Sequence, residues 1–235
     1  MNNVTGVMLN WKRPTNVARI LAGWQTSGIV TEAIVWNNNP DATFRHPWAR
    51  VINAAQDMGL YTRFAAACLA GNDCVLIQDD DLTLPPESLG TLVDAWRADP
   101  DIIHGVFGRA PKPDGSYARN IGGDVESPIV LTRVLVAHRR YASQFFQVAF
   151  AFANMQREGK PFGNGEDIIF SYVARQASGR MNRVHRIAVN EMPAPHSIHG
   201  RNWNGHIAHR TRLLRACEAW LKENQHEDRR DLLHV

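Results

Sequence analysis

The sequence predicts an α/β fold built on a mainly parallel central sheet. Three short apolar runs carry this expectation: "VTGVMLNW" (4–11), "AIVWNNN" (33–39) and "CVLIQDDD" (74–81). Stretches with helical spacing separate them, and strand and helix alternate through the first 110 residues. The runs are apolar on consecutive positions, as in strands covered on both faces. A length of 235 residues suits one domain.

Taken in order, residues 4–11 read as the first strand. Pro14 then opens a helix running through Trp24 and stopped by Gly28. The second strand spans about 31–36 and ends in Asn37-Asn38-Asn39. Residues 41–50 read as a loop or short strand. A helix over 61–71 ends at Gly71, and 74–78 is the third strand. Residues 85–101 form a helix, with Pro86 and Glu87 suited to its first turn and Leu89, Leu92, Val93 and Trp96 at helical spacing. A strand over 102–110 leads to a turn at Asp114-Gly115. Residues 127–145 read as strand then helix, 165–179 as a helix stopped by Gly179, 186–190 as a late strand and 206–225 as a long terminal helix.

Hydrophobic residues make up 44% and charged residues 21%, which predicts a packed core. A net charge of +3 is too small to argue for nucleic acid. Cys68, Cys74 and Cys217 have no metal-ligand spacing, and Cys68 and Cys74 lie in apolar surroundings, so buried free thiols are expected. No basic leader or bilayer-length apolar run is present, so a cytoplasmic location is the expectation, with peripheral membrane association left open.

The triplet Asp79-Asp80-Asp81 follows a buried strand directly, and like charges at that spacing repel. In open parallel sheets ligands bind outside the carboxyl ends of the strands. Carboxylates there suit Mg²⁺ or Mn²⁺, which bind through one or two carboxylates plus substrate phosphates. The alternative is a solvated acidic turn that also caps the next helix.

Beyond the triplet, "LNWKRPTN", "AIVWNNN", "YTRF", "VLIQDDD", "GVFGR", "IVLT", "GEDIIFSYVA" and "HRTRLLRAC" occur in one order over roughly residues 8–220. In that order they resemble the exostosin-type retaining glycosyltransferases of family 64. The resemblance implies the GT-A fold, a nucleotide-binding α/β sandwich with a metal at a D-x-D motif. It also implies a nucleotide-sugar part at about 1–110, an acceptor and catalytic part at about 111–235, a UDP-sugar donor and Mn²⁺ or Mg²⁺.

Carried over residue by residue, the resemblance implies that Asp81 binds the metal, Asp79 faces the ribose hydroxyls and Asp80 the donor sugar. Arg13, Asn37, Asn38, Asn53 and Arg63 become candidate nucleotide contacts. An amide can read a uracil edge, and Arg63 can pair with a diphosphate bidentately. Plainer readings exist too: a surface arginine for Arg13, an ordinary turn for Asn37 and Asn38, a helix-surface charge for Arg63. Thr132 falls at the family's step near the donor sugar. The family follows it with Gly-Ala and this chain with Arg133-Val134, which predicts a different sugar or acceptor.

The resemblance places Asp167 at the reacting centre, with Glu166 second; helix capping is the alternative for both. Arg212 matches the late active-site arginine, with Arg210 as the neighbouring choice. Many GT-A enzymes recruit a late histidine to the metal, which makes His196 or His199 a candidate ligand. Arg109 is either a sugar contact or a structural ion pair.

Together these readings predict a metal-dependent retaining transferase moving a hexose or N-acetylhexosamine from a UDP-sugar to a glycan or glycolipid. One alternative is a nucleotide-sugar-forming nucleotidyltransferase, which should carry a glycine-rich phosphate loop after its first strand; "LNWKRPTN" has no glycine. Another is a non-catalytic glycan-binding module, favoured if Asp81 and Asp167 lie apart in solvent.

Overall fold

The computed structural model describes residues 3–117, 119–155, 164–195 and 203–231. The first half runs β1 (Val4–Asn10), α1 (Pro14–Ser27), β2 (Val30–Asn37), β3 (Arg50–Asn53), α2 (Thr62–Cys68), β4 (Cys74–Gln78), β5 (Leu82–Thr83) and α3 (Pro86–Ala98). The second half runs β6 (His104–Gly105), β7 (Gly108–Ala110), β8 (Arg119–Ile121), β9 (Val125–Ser127), β10 (Ile129–Val130), β11 (Val134–His138) and α4 (Arg140–Ala149). A 3-10 turn (Phe150–Met155), α5 (Glu166–Ser178), β12 (Asn182–Val184), β13 (Asn190–Glu191) and α6 (Trp203–Asp231) complete it.

The main sheet has the order β3-β2-β1-β4-β11-β6-β12-β9. Strands β3, β2, β1 and β4 are mutually parallel, as the alternation of strand and helix predicts. Strand β11 enters antiparallel between β4 and β6, so the sheet is mixed in its second half.

Period-two alternation divides the strand side chains between two cores. Val7, Ile34, Val75, Ile77, Leu135 and Ala137 face the core closed by α2, α4, α5 and α6. Val4, Met8, Val35, Leu76, Val134 and Val136 face the core closed by α1 and α3. Helix α1 buries Val17, Ile20, Leu21 and Trp24, each contributing about 1.5–3 kcal/mol of burial. Gly6 lets α1 approach: a Cβ there would lie 2.4 Å from the Trp24 ring. Gly28 ends α1 at φ 65°, a conformation glycine adopts without steric cost.

Three expectations need correction. The strand expected over 102–110 is two short strands, β6 and β7, in different sheets. Of the late strand expected at 186–190 only Asn190 is in a strand, the start of β13, while Asn182–Val184 continues the main sheet beside β6. Cys68 is exposed at the end of α2, while Cys74 and Cys217 are buried. Strand β3 is short and partly exposed, so its sequence carries little apolar signal.

Candidate active site

The parallel strands end side by side, and the aspartate turn follows β4 at that edge. The main chain is held at each aspartate. The Asp79 N–H donates to the Arg133 carbonyl at 2.9 Å, and Asn16 Nδ2 donates to the Asp80 carbonyl at 2.9 Å. The Met192 N–H donates to the Asp81 carbonyl at 2.7 Å. Beneath the turn, Gln78 Nε2 donates to the Leu82 carbonyl, and Trp24 Nε1 donates to Gln78 Oε1. These bonds hold three like charges together on a fixed base.

Arginines relieve part of the repulsion, one for each aspartate. Arg13 pairs with Asp80 and lies 3.8 Å from Asp81. Arg63 lies 2.9 Å from Asp79, and Arg133 lies 3.6 Å from Asp81. Burial pushes the Asp80 carboxyl up to about 6 despite Arg13, with Asp79 and Asp81 adding to the rise.

Arg63 joins the turn to the second acidic motif. It is buried in α2, its Nη1 on Asp79 and its Nη2 3.8 Å from Glu166 Oε1. Glu166 also accepts the Thr132 hydroxyl at 3.1 Å, and the Thr132 carbonyl accepts from Arg63 at 3.3 Å. Burial raises the Glu166 pKa; Arg63 opposes the rise and Asp167 adds to it. Folding thus brings together two acidic motifs that lie far apart in the sequence.

Asp167 is buried and takes both its oxygens to Arg210 Nη2, at 2.7 and 2.6 Å. Arg210 also donates to the Tyr117 hydroxyl at 2.7 Å and to Asn164 Oδ1. His209 bonds the Asn164 carbonyl at 2.8 Å. Helix α6 therefore secures the start of α5. Gly165, at φ 122°, makes the approach; a Cβ there would lie 2.4 Å from Leu213.

Of the sequence candidates, Asp79, Asp80, Asp81, Arg13, Arg63, Thr132, Glu166 and Asp167 gather at one edge of the sheet. Arg212 does not join them. It is exposed on α6, and Arg210, two residues earlier and so on another side of the helix, takes the buried place.

The asparagines bond one another and the nearby backbone. Asn10, Asn37 and Asn53 stand in register on β1, β2 and β3. Asn37 Oδ1 accepts from Asn10 Nδ2, and Asn37 Nδ2 donates to Asn53 Oδ1 and to the Ala42 carbonyl. Asn53 closes on the Phe44 backbone in both directions. Asn38 Nδ2 donates to the Gly59 carbonyl and to the Thr62 hydroxyl. These amides hold loops beside the ends of the parallel strands.

Arg109 bonds the Gly108 carbonyl. His196 and His199 lie outside the described residues. Pro195, next to His196 in the chain, accepts from Arg13 Nε at 3.0 Å. Sequence reasoning missed Tyr117, Asn164, Asn16 and Glu191, whose partners are remote in sequence. Only Arg133 carried a signal, as the large residue after Thr132.

The donor set fits a divalent cation held mostly by its substrate. Asp81 Oδ1 is buried and has no hydrogen-bond partner, a hard oxygen with an unused lone pair. Six carboxylates at this edge (Asp79, Asp80, Asp81, Glu166, Asp167 and Glu191) face four paired guanidiniums (Arg13, Arg63, Arg133 and Arg210). Such a balance does not favour a diphosphate without further positive charge. Among the described residues no three His, Cys, Asp or Glu side chains form a cluster that could hold an ion alone.

The family model described as the glycosyl transferase family 64 domain matches residues 4–227. Among solved structures, GalNAc-T7 with UDP, GalNAc and Mn²⁺ matches with a TM-score of 0.60 at 11% identity. The match covers 82% of this chain and 44% of that one, so this chain spans less than half of its length. A likeness at that identity shows the fold, which is the GT-A glycosyltransferase fold. No curated protein matches the sequence.

Proposed function

The chain belongs to glycosyl transferase family 64, and from that premise we propose that it is an exostosin-type, metal-dependent retaining glycosyltransferase. It takes a hexose or N-acetylhexosamine from a UDP-sugar and leaves it α-linked on a glycan hydroxyl. The observation that carries this reading is Arg63, buried between Asp79 and Glu166, because it sets the aspartate turn beside the start of α5. The likeness in fold to GalNAc-T7, solved with UDP and Mn²⁺, supports the choice of donor nucleotide and ion.

A divalent cation on Asp81, with His196 as the further proposed ligand, would supply positive charge for the diphosphate that leaves. The protein's own residues do the rest. Arg13 and Arg63 would face the diphosphate, and Asp79 and Asp80 would offer acceptors to ribose and sugar hydroxyls. Asp167, fixed by Arg210 on both oxygens, gives a preset negative charge for an oxocarbenium-like state at the anomeric carbon.

Incubation with UDP-hexoses and UDP-N-acetylhexosamines plus Mn²⁺ tests the reading. UDP release is expected, lost by at least about 100-fold in Asp81→Ala and in Asp167→Asn. Product NMR should show the α-anomer. Equal release from Asp81→Ala removes the metal role, and a β-linked product removes the retaining route.

A further inference from the structure

Arg133 stands where three distant parts of the chain meet the aspartate turn. Its carbonyl accepts the Asp79 N–H. Its guanidinium lies over the Phe107 ring at 4.5 Å. Its Nη2 is 2.7 Å from Glu191 Oε2 and 3.6 Å from Asp81 Oδ1. The first contact is a charge-assisted hydrogen bond; the second is a charge contact too long to be one. Asp81 Oδ1 is the buried oxygen without a hydrogen-bond partner.

Glu191 is placed there by pairing rather than chance. Strand β13 runs antiparallel to β5, with Glu191 opposite Leu82, and the Met192 N–H closes on the Asp81 carbonyl. One guanidinium is thus shared between an exposed carboxylate that holds it and a part-buried carboxylate that does not; their side chains are 62% and 22% exposed.

We propose that Arg133 is a resident counter-cation for Asp81 that opposes a divalent ion, and that Glu191 holds it off Asp81, so that this pair sets the metal affinity of the site. The proposal rests on the metal reading above. An ion taken up by Asp81 Oδ1 would share that oxygen with the guanidinium, whose Nη2 is 3.6 Å from it. In a part-buried site water screens that repulsion poorly. Glu191 offsets it by neutralising Arg133. Without Glu191 the guanidinium is left to the aspartate turn, with Asp81 its remaining ion-pair partner and Asp79 also acting on it, and the ion must displace it from Asp81.

Two substitutions therefore shift affinity in opposite directions, which a merely structural pair would not do. The probe is Mn²⁺ with UDP added to the full chain. The readout is water-proton relaxation, which rises when the ion joins the slowly tumbling protein. Arg133→Gln should tighten Mn²⁺ binding about 5- to 10-fold, and Glu191→Gln should weaken it about 3- to 5-fold. Asp81→Asn should abolish the enhancement.

If Asp81→Asn abolishes binding but Arg133→Gln leaves it unchanged or weaker, the metal reading stands and this proposal is overturned. If the unaltered chain shows no enhancement, or Asp81→Asn retains it, the metal reading fails and the proposal with it. Should Arg133→Gln not fold, Glu191→Gln at its exposed position decides: weaker binding supports the proposal, and unchanged or tighter binding overturns it.

Discussion

Replacing Arg210 by Met tests whether this arginine, and not Arg212, secures the reacting carboxylate. Arg210 and Asp167 are an ion pair whose side chains are 5% and 6% exposed. Removing one partner of a buried pair costs about 3–5 kcal/mol, because the other charge is left uncompensated. The Tyr117 hydroxyl and Asn164 Oδ1 lose a donor as well. For a chain of this size each kcal/mol shifts Tm by about 2–4 °C, so a fall of about 10 °C is expected. Arg212→Met, on the exposed side of α6, should change stability by less than about 0.5 kcal/mol. The assay is thermal and urea unfolding of both variants, of Asp167→Asn and of the Arg210→Met/Asp167→Asn double variant. The double variant should regain part of the loss, with a coupling energy of about 1–3 kcal/mol. UDP release should fall with Arg210→Met and persist with Arg212→Met. A coupling near zero, or equal losses from the two arginines, would refute the reasoning.

The asparagine ladder makes Asn37→Ala a stability variant rather than a donor variant. Unfolding should cost about 2–4 kcal/mol less, with the KM for donor unchanged in the surviving folded protein. His104 gives an acid sensitivity. Its Nε2 donates to the Asp99 carbonyl, so its Nδ1 is the acceptor for His185 Nε2 in the neutral pair. Burial pulls the His104 pKa down to about 4. That lies below the unfolded value, so the stability is present above about pH 6.5 and lost as pH falls toward 4, by at most about 3 kcal/mol. Urea midpoints across that range should show the decline in the native chain and a smaller one in His104→Phe. Gly165→Ala forces a side chain into a left-handed backbone and against Leu213, and should cost about 2 kcal/mol or more in unfolding experiments while lowering UDP release.

Local chemistry alone determined much of this protein. Apolar runs placed β1, β2 and β4, and Pro14, Gly28, Pro86 and Gly179 bounded α1, α3 and α5, because these signals act within a few residues. The aspartates announced themselves by ending a buried strand, and the ordered fragments pointed to the family. The tertiary structure decided which polar groups are free. Asn37 and Asn38 look like ligand-reading amides in a row of letters, but register across three strands and a turn engages them inside the protein. Arg210 and Arg212 look alike in "HRTR", but helical rotation buries one and exposes the other. Arg133 met Asp81 because β11 pairs with β4, and Glu191 because β13 pairs with β5. Hydrogen bonds and charge pairs between distant residues depend on strand order and helix rotation, which residue-to-residue spacing does not encode.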